Sequence, residues 1–416
     1  MKRFFLSIII VFLFSPCFGQ YIKVQNSKDK RIIDLDRASY PDTGFLFSTL
    51  YKSVKLIPLE TNKSCLIGSI RQMQVIDNYI LIMDPPNSLY VFDREGRFIR
   101  KIGSVGQGPG EYISIADFTI DRENKTVYIQ DGRLARILKY DLATGKFIQS
   151  IKFVGNRNEG RTQLDYILHI GGNLYASSIF YNHSPDNYLL FTIDESTGKE
   201  KNNFLNVMEY NMGFSNLYMN HNGNIRFFSR DNGNAIFVPP MMKHIIEISK
   251  NGVFSLFEFK GKNMLTQEDA KKLYDTWSKK KLWENGGQNA LEFLKINKYR
   301  CIYSYVEKGE WIMIHMGIAN RGHTIVINKK TNEVCVYQKA GFDNLLYREQ
   351  KNGNTYFNFG CSDKNGVYCN LTAGSVTFLQ EKYKAGELQL DVIGFDKIMK
   401  LTEDDNPALL FYEFKD

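Results

Sequence analysis

Short apolar runs, each closed by Asp, Asn or Gly, recur along this chain with a steady spacing. Residues 79–102 hold YILIMD, LYVFDREG and FIRKI in that order, and residues 126–152 hold TVYIQD, ILKYDLATG and FIQSIK in the same places. Asp84 answers to Asp131, Asp93 to Asp141 and Gly96 to Gly145, at offsets of 47 to 49 residues. Such runs read as strands, and the Asp-to-Gly intervals between them read as hairpins. A unit of roughly 40–50 residues with about four strands is the mark of a β-propeller blade.

The cadence assigns blade one to residues 70–102, blade two to 114–153, blade three to 165–205, blade four to 224–259 and blade five to 301–337. Asp93, Asp141 and Asp194, with the Gly that follows each, are expected to be turn formers, because these hairpins need residues that cap their own backbone or accept positive φ. The run SVKLIP at 53–58 alternates like a strand but has no blade of its own. A ring must close or leave sheet edges open, so 53–58 is expected to join the strands at 355–358, 366–370 and 408–414 in a sixth blade. The expectation is therefore an all-β, six-bladed β-propeller of four-stranded antiparallel blades.

Two segments break the cadence. Residues 266–299 are expected to form a helical insertion between blades four and five, since Thr266 and Asp269 resemble a capping box and Leu273, Trp277 and Leu282 follow near helical spacing. Residues 373–405 read as a second helical excursion, and 408–414 returns to strand. The divisions that follow are 1–19, 20–52 as an N-terminal arm, and 53–416 as the propeller.

Residues 1–19 place the protein outside the cytoplasm. Lys2 and Arg3 precede an apolar run from Phe4 to Phe14, and Ser15, Pro16 and Gly19 follow. A membrane-spanning helix needs about 20 apolar residues, so this shorter pattern reads as a signal peptide cleaved after Gly19. A lipoprotein would instead be acylated at Cys17. Pro16 stands where such a site takes a small residue, so soluble export to the periplasm or the exterior is the expectation. No later run is long enough to span. Removal of Lys2 and Arg3 lowers the formal charge from +8 to +6, which is mild for the length and gives no nucleic-acid footprint. The cluster from Lys271 to Lys281 reads as the solvated face of a helix. Six cysteines, five after cleavage, are too few for a disulfide framework. Cys361 and Cys369 flank the turn signal Asn365-Gly366, so they could face each other across two strands and be oxidised outside the cytoplasm; two small apolar strand residues are the favoured reading.

The segment IGSVGQGPGEY, followed by ADFTID and YIQD, resembles the six-bladed β-propeller proteins exported by Bacteroides-type bacteria, which are related in plan to NHL-repeat propellers. VKLIPLETN with LIGSI resembles the entry strand of that family, and NPALLFYEFK its closing strand. The resemblance implies the propeller fold, export and a binding or scaffold role. It carries over no catalytic residue.

The glycine-rich run Gly106 to Tyr112 is the first candidate site. A nucleotide loop follows a strand and opens a helix, whereas Glu111 and Tyr112 here lead into another strand. Gln107, Glu111 and Tyr112 are instead candidate ligand contacts, on the crossing from one blade to the next. Blade crossings and the loops between second and third strands share one face of a propeller. On that face Arg133 and Arg321 are further candidates, because guanidinium recognises oxygen-rich groups bidentately. Arg230 and Asp231, at a strand end in blade four, complete the set. No zinc spacing, serine elbow or other enzyme signature appears. His315 and His323, eight apart, make at most one ligand pair. The sequence thus calls for no cofactor or metal. It favours a module that binds a ligand or an envelope protein, with a propeller-type lyase or hydrolase acting on a saccharide or peptide as the alternative.

Overall fold

The computed structural model describes residues 19–85, 88–155, 164–177, 187–210, 227–230, 232–238, 242–264, 266, 268–269, 299–318, 321–338, 341–349 and 359–416. The chain forms six antiparallel blades arranged as a propeller. Blade one is Gln72–Ile76, Tyr79–Asp84, Ser88–Asp93 and Phe98–Lys101, paired in chain order. Blade two repeats it with Ile115–Asp121, Thr126–Asp131, Arg136–Asp141 and Phe147–Lys152. The middle strands are apolar on both sides, because each blade is sandwiched between neighbours. Tyr79–Asp84 buries its four central residues, whereas the outer strand Phe98–Lys101 alternates half-buried and exposed.

The turn chemistry follows the repeat. The Asp93 carboxylate accepts the N–H groups of Glu95 and Arg97 at 3.0 and 2.9 Å, Asp141 accepts that of Thr144 at 2.7 Å, and Asp194 accepts those of Ser196 and Thr197 at 2.9 and 3.0 Å. The bonds from Ser196 and Thr197 hold the Asp194 carboxyl down at about 2. Gly96 and Gly198 have φ of 84° and 71°. A Cβ at either would fall 2.2 Å from the Pro58 carbonyl or 1.8 Å from that of Lys152. These glycines therefore meet two needs, the turn and the close approach of the preceding blade's outer strand.

The ring closes as the alternation at 53–58 predicts. Tyr51–Pro58 is the outer strand of blade six, antiparallel to Ala408–Phe414, with Val54 opposite Tyr412 and Leu56 opposite Leu410. Gly366–Leu371 and Phe359–Ser362 complete the blade; residues 355–358 lie outside the described residues. Cys361 is opposite Tyr368 and Cys369 opposite Phe359, so the two thiols point to opposite faces of the hairpin, and both are free.

The segment 20–52 does more than lead into the ring. Gln20–Tyr21 adds in parallel to the outer strand of blade three, and Gln25–Asp34 adds in parallel to that of blade four. Ser39 then bridges Cys335 on blade five, before Tyr51–Pro58 enters blade six. The chain thus runs as a belt along the outside of blades three to five before supplying the outer strand of blade six, and among the described residues blades three and four alone gain a fifth strand.

Of the insertion at 266–299, the capping box is described. Thr266 Oγ1 and its N–H both donate to Asp269, at 2.8 and 2.9 Å, and the Asp269 N–H donates back at 3.1 Å. Residues 270–298 lie outside the described residues. The second excursion is present as helices Ala373–Lys384 and Phe395–Ile398, whose Val376, Leu379, Phe395 and Ile398 pack into the blade-six core. Among the described residues no helix is long and apolar enough to cross a membrane.

Candidate functional site

The first strand of each blade lines the ring axis, all six running in the same direction. Their starts lie at the face of blade crossings and second-to-third-strand loops. Their ends lie at the opposite face, with the first and third hairpins. The candidate residues divide between these faces and do not converge.

On the crossing face, the loop at 106–112 closes on itself. The Glu111 carboxylate accepts the Gly108 N–H at 2.8 Å, and Tyr112 is 1% exposed, its hydroxyl donating to the Ile102 carbonyl at 3.3 Å within the core of blades one and two. Gln107 is exposed at the tip. Arg133 is also exposed, and the charge beside it is taken by another residue. Asp131, fully buried, pairs with Arg136 at 3.2 Å, and Arg136 donates to the Glu111 carbonyl at 2.6 Å. The register explains the choice: Asp131 and Arg136 are the directly opposed pair that closes the loop. Arg321 pairs through its backbone with Ile318; its side chain lies outside the described residues.

Arg230 lies on the opposite face and is committed to structure. Its guanidinium grips Glu307 bidentately, Nε at 2.6 Å and Nη2 at 2.8 Å, and also bonds Glu247. Lys329 reaches Glu307 at 2.7 Å, the Tyr305 hydroxyl donates to it at 2.8 Å, and Asn234 donates to Glu247 at 2.8 Å. Two cations and two carboxylates thus close the seam between blades four and five. Burial pushes Glu307 up, but Arg230 and Lys329 outweigh it and leave the carboxyl below its usual value. Asp231 lies outside the described residues.

The polar convergence that sequence reasoning missed is in the lumen. A cavity of about 220 Å³ is lined by first strands of all six blades. Its wall is stitched by side chains standing in for ladder bonds. Gln72 and Gln74 donate to the Phe118 carbonyl at 3.1 and 2.9 Å; Asp117 accepts the Ile167 N–H at 2.7 Å, and Thr119 that of His169 at 3.0 Å. Asp117 is 3% exposed, and burial pushes its carboxyl up to about 7. The His169 ring stacks on Tyr128 at 5.0 Å between centroids and sits 3.6 Å from both Asp121 and Glu195. Burial nonetheless holds this imidazole below its usual value. Asp117, Thr119 and Asp121 alternate along Ile115–Asp121, and this period-two pattern was the readable signal for one polar face.

At the hairpin end of the lumen lies a second charged group. Arg94 pairs with Asp363 at 2.7 Å and Lys125 with Asp77 at 2.7 Å. Arg122 lines the cavity beside them, in the fields of Asp363, Asp77 and Arg94. No hydrogen bond or ion pair joins its guanidinium to any described residue. Water reaches Arg122 through the lumen while protein atoms crowd it, and that crowding pushes its guanidinium below the usual value. Among the described residues no group of three His, Cys, Asp or Glu is placed to hold a metal ion. His315 is opposite Thr324 and His323 opposite Met316, which sets the two rings on opposite faces of their sheet.

Comparison with known proteins supports this architecture. The family model DUF4934, a domain of unknown function, matches residues 30–413. A protein of Bacteroides fragilis described as exported has a similar structure, with a TM-score of 0.68 at 17% identity over 93% of this chain and all of that one. A DUF4221-family protein of Bacteroides vulgatus scores 0.48 at 11% identity, over 88% of this chain and 97% of that one. No curated protein matches the sequence.

Proposed function

The chain belongs to the DUF4934 family, and we propose that it is an exported binding module whose ligand enters the central lumen. One observation carries this reading: a cavity of about 220 Å³ gathers polar side chains from every blade, including a guanidinium with no bonded partner among the described residues. Rigid rings commonly present function where several elements converge. The crossing-face residues support the reading less well. Glu111, Tyr112 and Asp131 are consumed by their own loops, which leaves Gln107 and Arg133 as outer contacts for a ligand that protrudes from the ring.

Export rests on the signal-like pattern of residues 1–19, on the resemblance to propellers exported by Bacteroides-type bacteria, and on the Bacteroides fragilis relative described as exported. Cleavage after Gly19 frees Gln20, the residue paired with Asn202 at the start of the belt. Mass spectrometry of the mature N-terminus tests this, with Gln20 expected and an acylated Cys17 as the contrary result.

The enzyme reading draws on Asp117 and His169, a carboxyl raised to about 7 and an imidazole lining the same lumen. Binding is favoured because the Asp117 carboxylate is engaged by the Ile167 N–H and the His169 ring is packed on Tyr128 between Asp121 and Glu195. The lumen itself is tested by Ser362→Tyr, which fills it. Small organic acids, monosaccharides and dipeptides are compared by thermal shift, and the stabilising class is expected to lose its effect in the variant. Shifts equal in both proteins, or absent for every class, overturn the proposal.

A further inference from the structure

The geometry points to a site for a monoanion, a carboxylate on a small ligand, at the hairpin end of the lumen, with Arg122 as its anchor. The inference rests on the lumen reading and deepens it by naming the ligand class. The two carboxylates whose fields reach Arg122 are already engaged, Asp363 by Arg94 and Asp77 by Lys125. Asp121 and Glu123 line the same cavity but make no bond to the Arg122 guanidinium, which therefore has no counter-ion in contact among the described residues. The Arg122 guanidinium is exposed to water and borders the cavity, so an incoming anion can reach it. The neighbouring Cys361 thiol supplies no charge, because burial pushes it up to about 12.

One guanidinium carries one positive charge, which a monoanion matches. The guanidinium fork suits a planar carboxylate, which accepts two parallel N–H bonds. A volume near 220 Å³ is below the range of about 300–1,000 Å³ usual for drug-sized ligands, so the acid is small or inserts only its acidic end.

The test uses benzoate, its neutral isostere benzamide, and iodide. Benzoate is expected to raise the melting temperature of the mature protein while benzamide does not. Arg122→Gln is expected to bind benzoate roughly 10- to 100-fold more weakly, the loss of a charge-assisted pair, and Arg122→Lys is expected to retain part of the affinity. Crystals soaked in iodide should show anomalous density at the Arg122 guanidinium. Arg122 holds no ion pair among the described residues, so Arg122→Gln is expected to fold. If benzoate and benzamide act equally and Ser362→Tyr abolishes both effects, the anion assignment fails and the lumen reading stands. If the benzoate effect survives in both Arg122→Gln and Ser362→Tyr, both fail. No benzoate effect together with no iodide at Arg122 overturns the anion site.

Discussion

Two charged clusters occupy the same face of the ring, and they differ in balance and in access to water. Between blades four and five, Arg230 and Lys329 meet Glu247 and Glu307 in a closed set, with the Arg230 and Glu307 side chains 7% and 0% exposed. Around blades six, one and two, Arg94, Arg122 and Lys125 meet Asp363 and Asp77, and the set opens into the lumen. The first has every charge answered and behaves as a fastener. The second holds one guanidinium, that of Arg122, which no described residue bonds, the arrangement expected where a ligand completes the contacts. An arginine at a strand end therefore says little by itself; its partners decide whether it is structure or site.

The sharpest way to break this comparison is to unbalance the closed cluster. Arg230→Met leaves Glu247 buried without a cation and Glu307 with Lys329 as its remaining one, and unpaired buried charges of this kind cost about 3–5 kcal/mol. Urea denaturation is expected to show that loss, and the double variant with Glu247→Gln, which leaves the Lys329–Glu307 pair balanced, should recover much of it. A loss below about 1 kcal/mol in the single variant would show that the cluster is not a fastener.

Asp117 tests what an unpaired buried charge does in the lumen wall. Its carboxyl rises from an ordinary 3.8 to about 7 on folding. Below about pH 4 it is protonated in both states. Between pH 4 and 7 the folded protein keeps a proton that the unfolded chain has released, so its contribution to stability falls as pH rises through that window and then levels off. Three units correspond to an upper bound of roughly 4 kcal/mol. Asp117→Asn keeps an acceptor for the Ile167 N–H and removes the titration. Its thermal stability is expected to exceed that of the wild type at pH 8, with the difference gone by pH 4. A constant difference across that range would rule out the carboxyl as its source.

Arg94 belongs to the open cluster but is itself paired. It bonds Asp363, Tyr368 and the Asp77 carbonyl, at 2.8 Å for the last through Nε. Arg94→Gln is expected to cost about 1–2 kcal/mol, since the pair is only partly shielded from water. Equilibrium unfolding checks whether it falls between Arg230 and Arg122, as their partners imply.

The contrast between fastener and site also marks what the sequence could disclose. Blade order and closure were readable because local chemistry enforces them: Asp93, Asp141 and Asp194 cap their own turns, and Gly96 and Gly198 are held by positive φ and a carbonyl at contact distance. The belt was not readable. Gln25–Asp34 adds in parallel at an edge, with charged residues and no hairpin signal. The lumen site was harder still, because Arg122, Asp363 and Asp77 come from three blades and meet only when the ring closes. Tyr112 misled for a simpler reason, since a hydroxyl in a glycine-rich loop looks like a ligand contact until its ring is found in the core.

Arg122 gives the smallest stability effect and the one most particular to the comparison. If the open cluster were a second fastener, Arg122→Gln would lower stability as Arg94→Gln does. Because no described residue bonds its guanidinium and the side chain is exposed to water, neutralising it is expected to leave the unliganded protein within about 0.5 kcal/mol of the wild type. No loss in Arg122→Gln, set against a loss in Arg94→Gln on the neighbouring blade at the same face, would separate a held-open cation from one that holds the fold. A loss in both would merge the two clusters into one structural role and remove the reason to look for a ligand there.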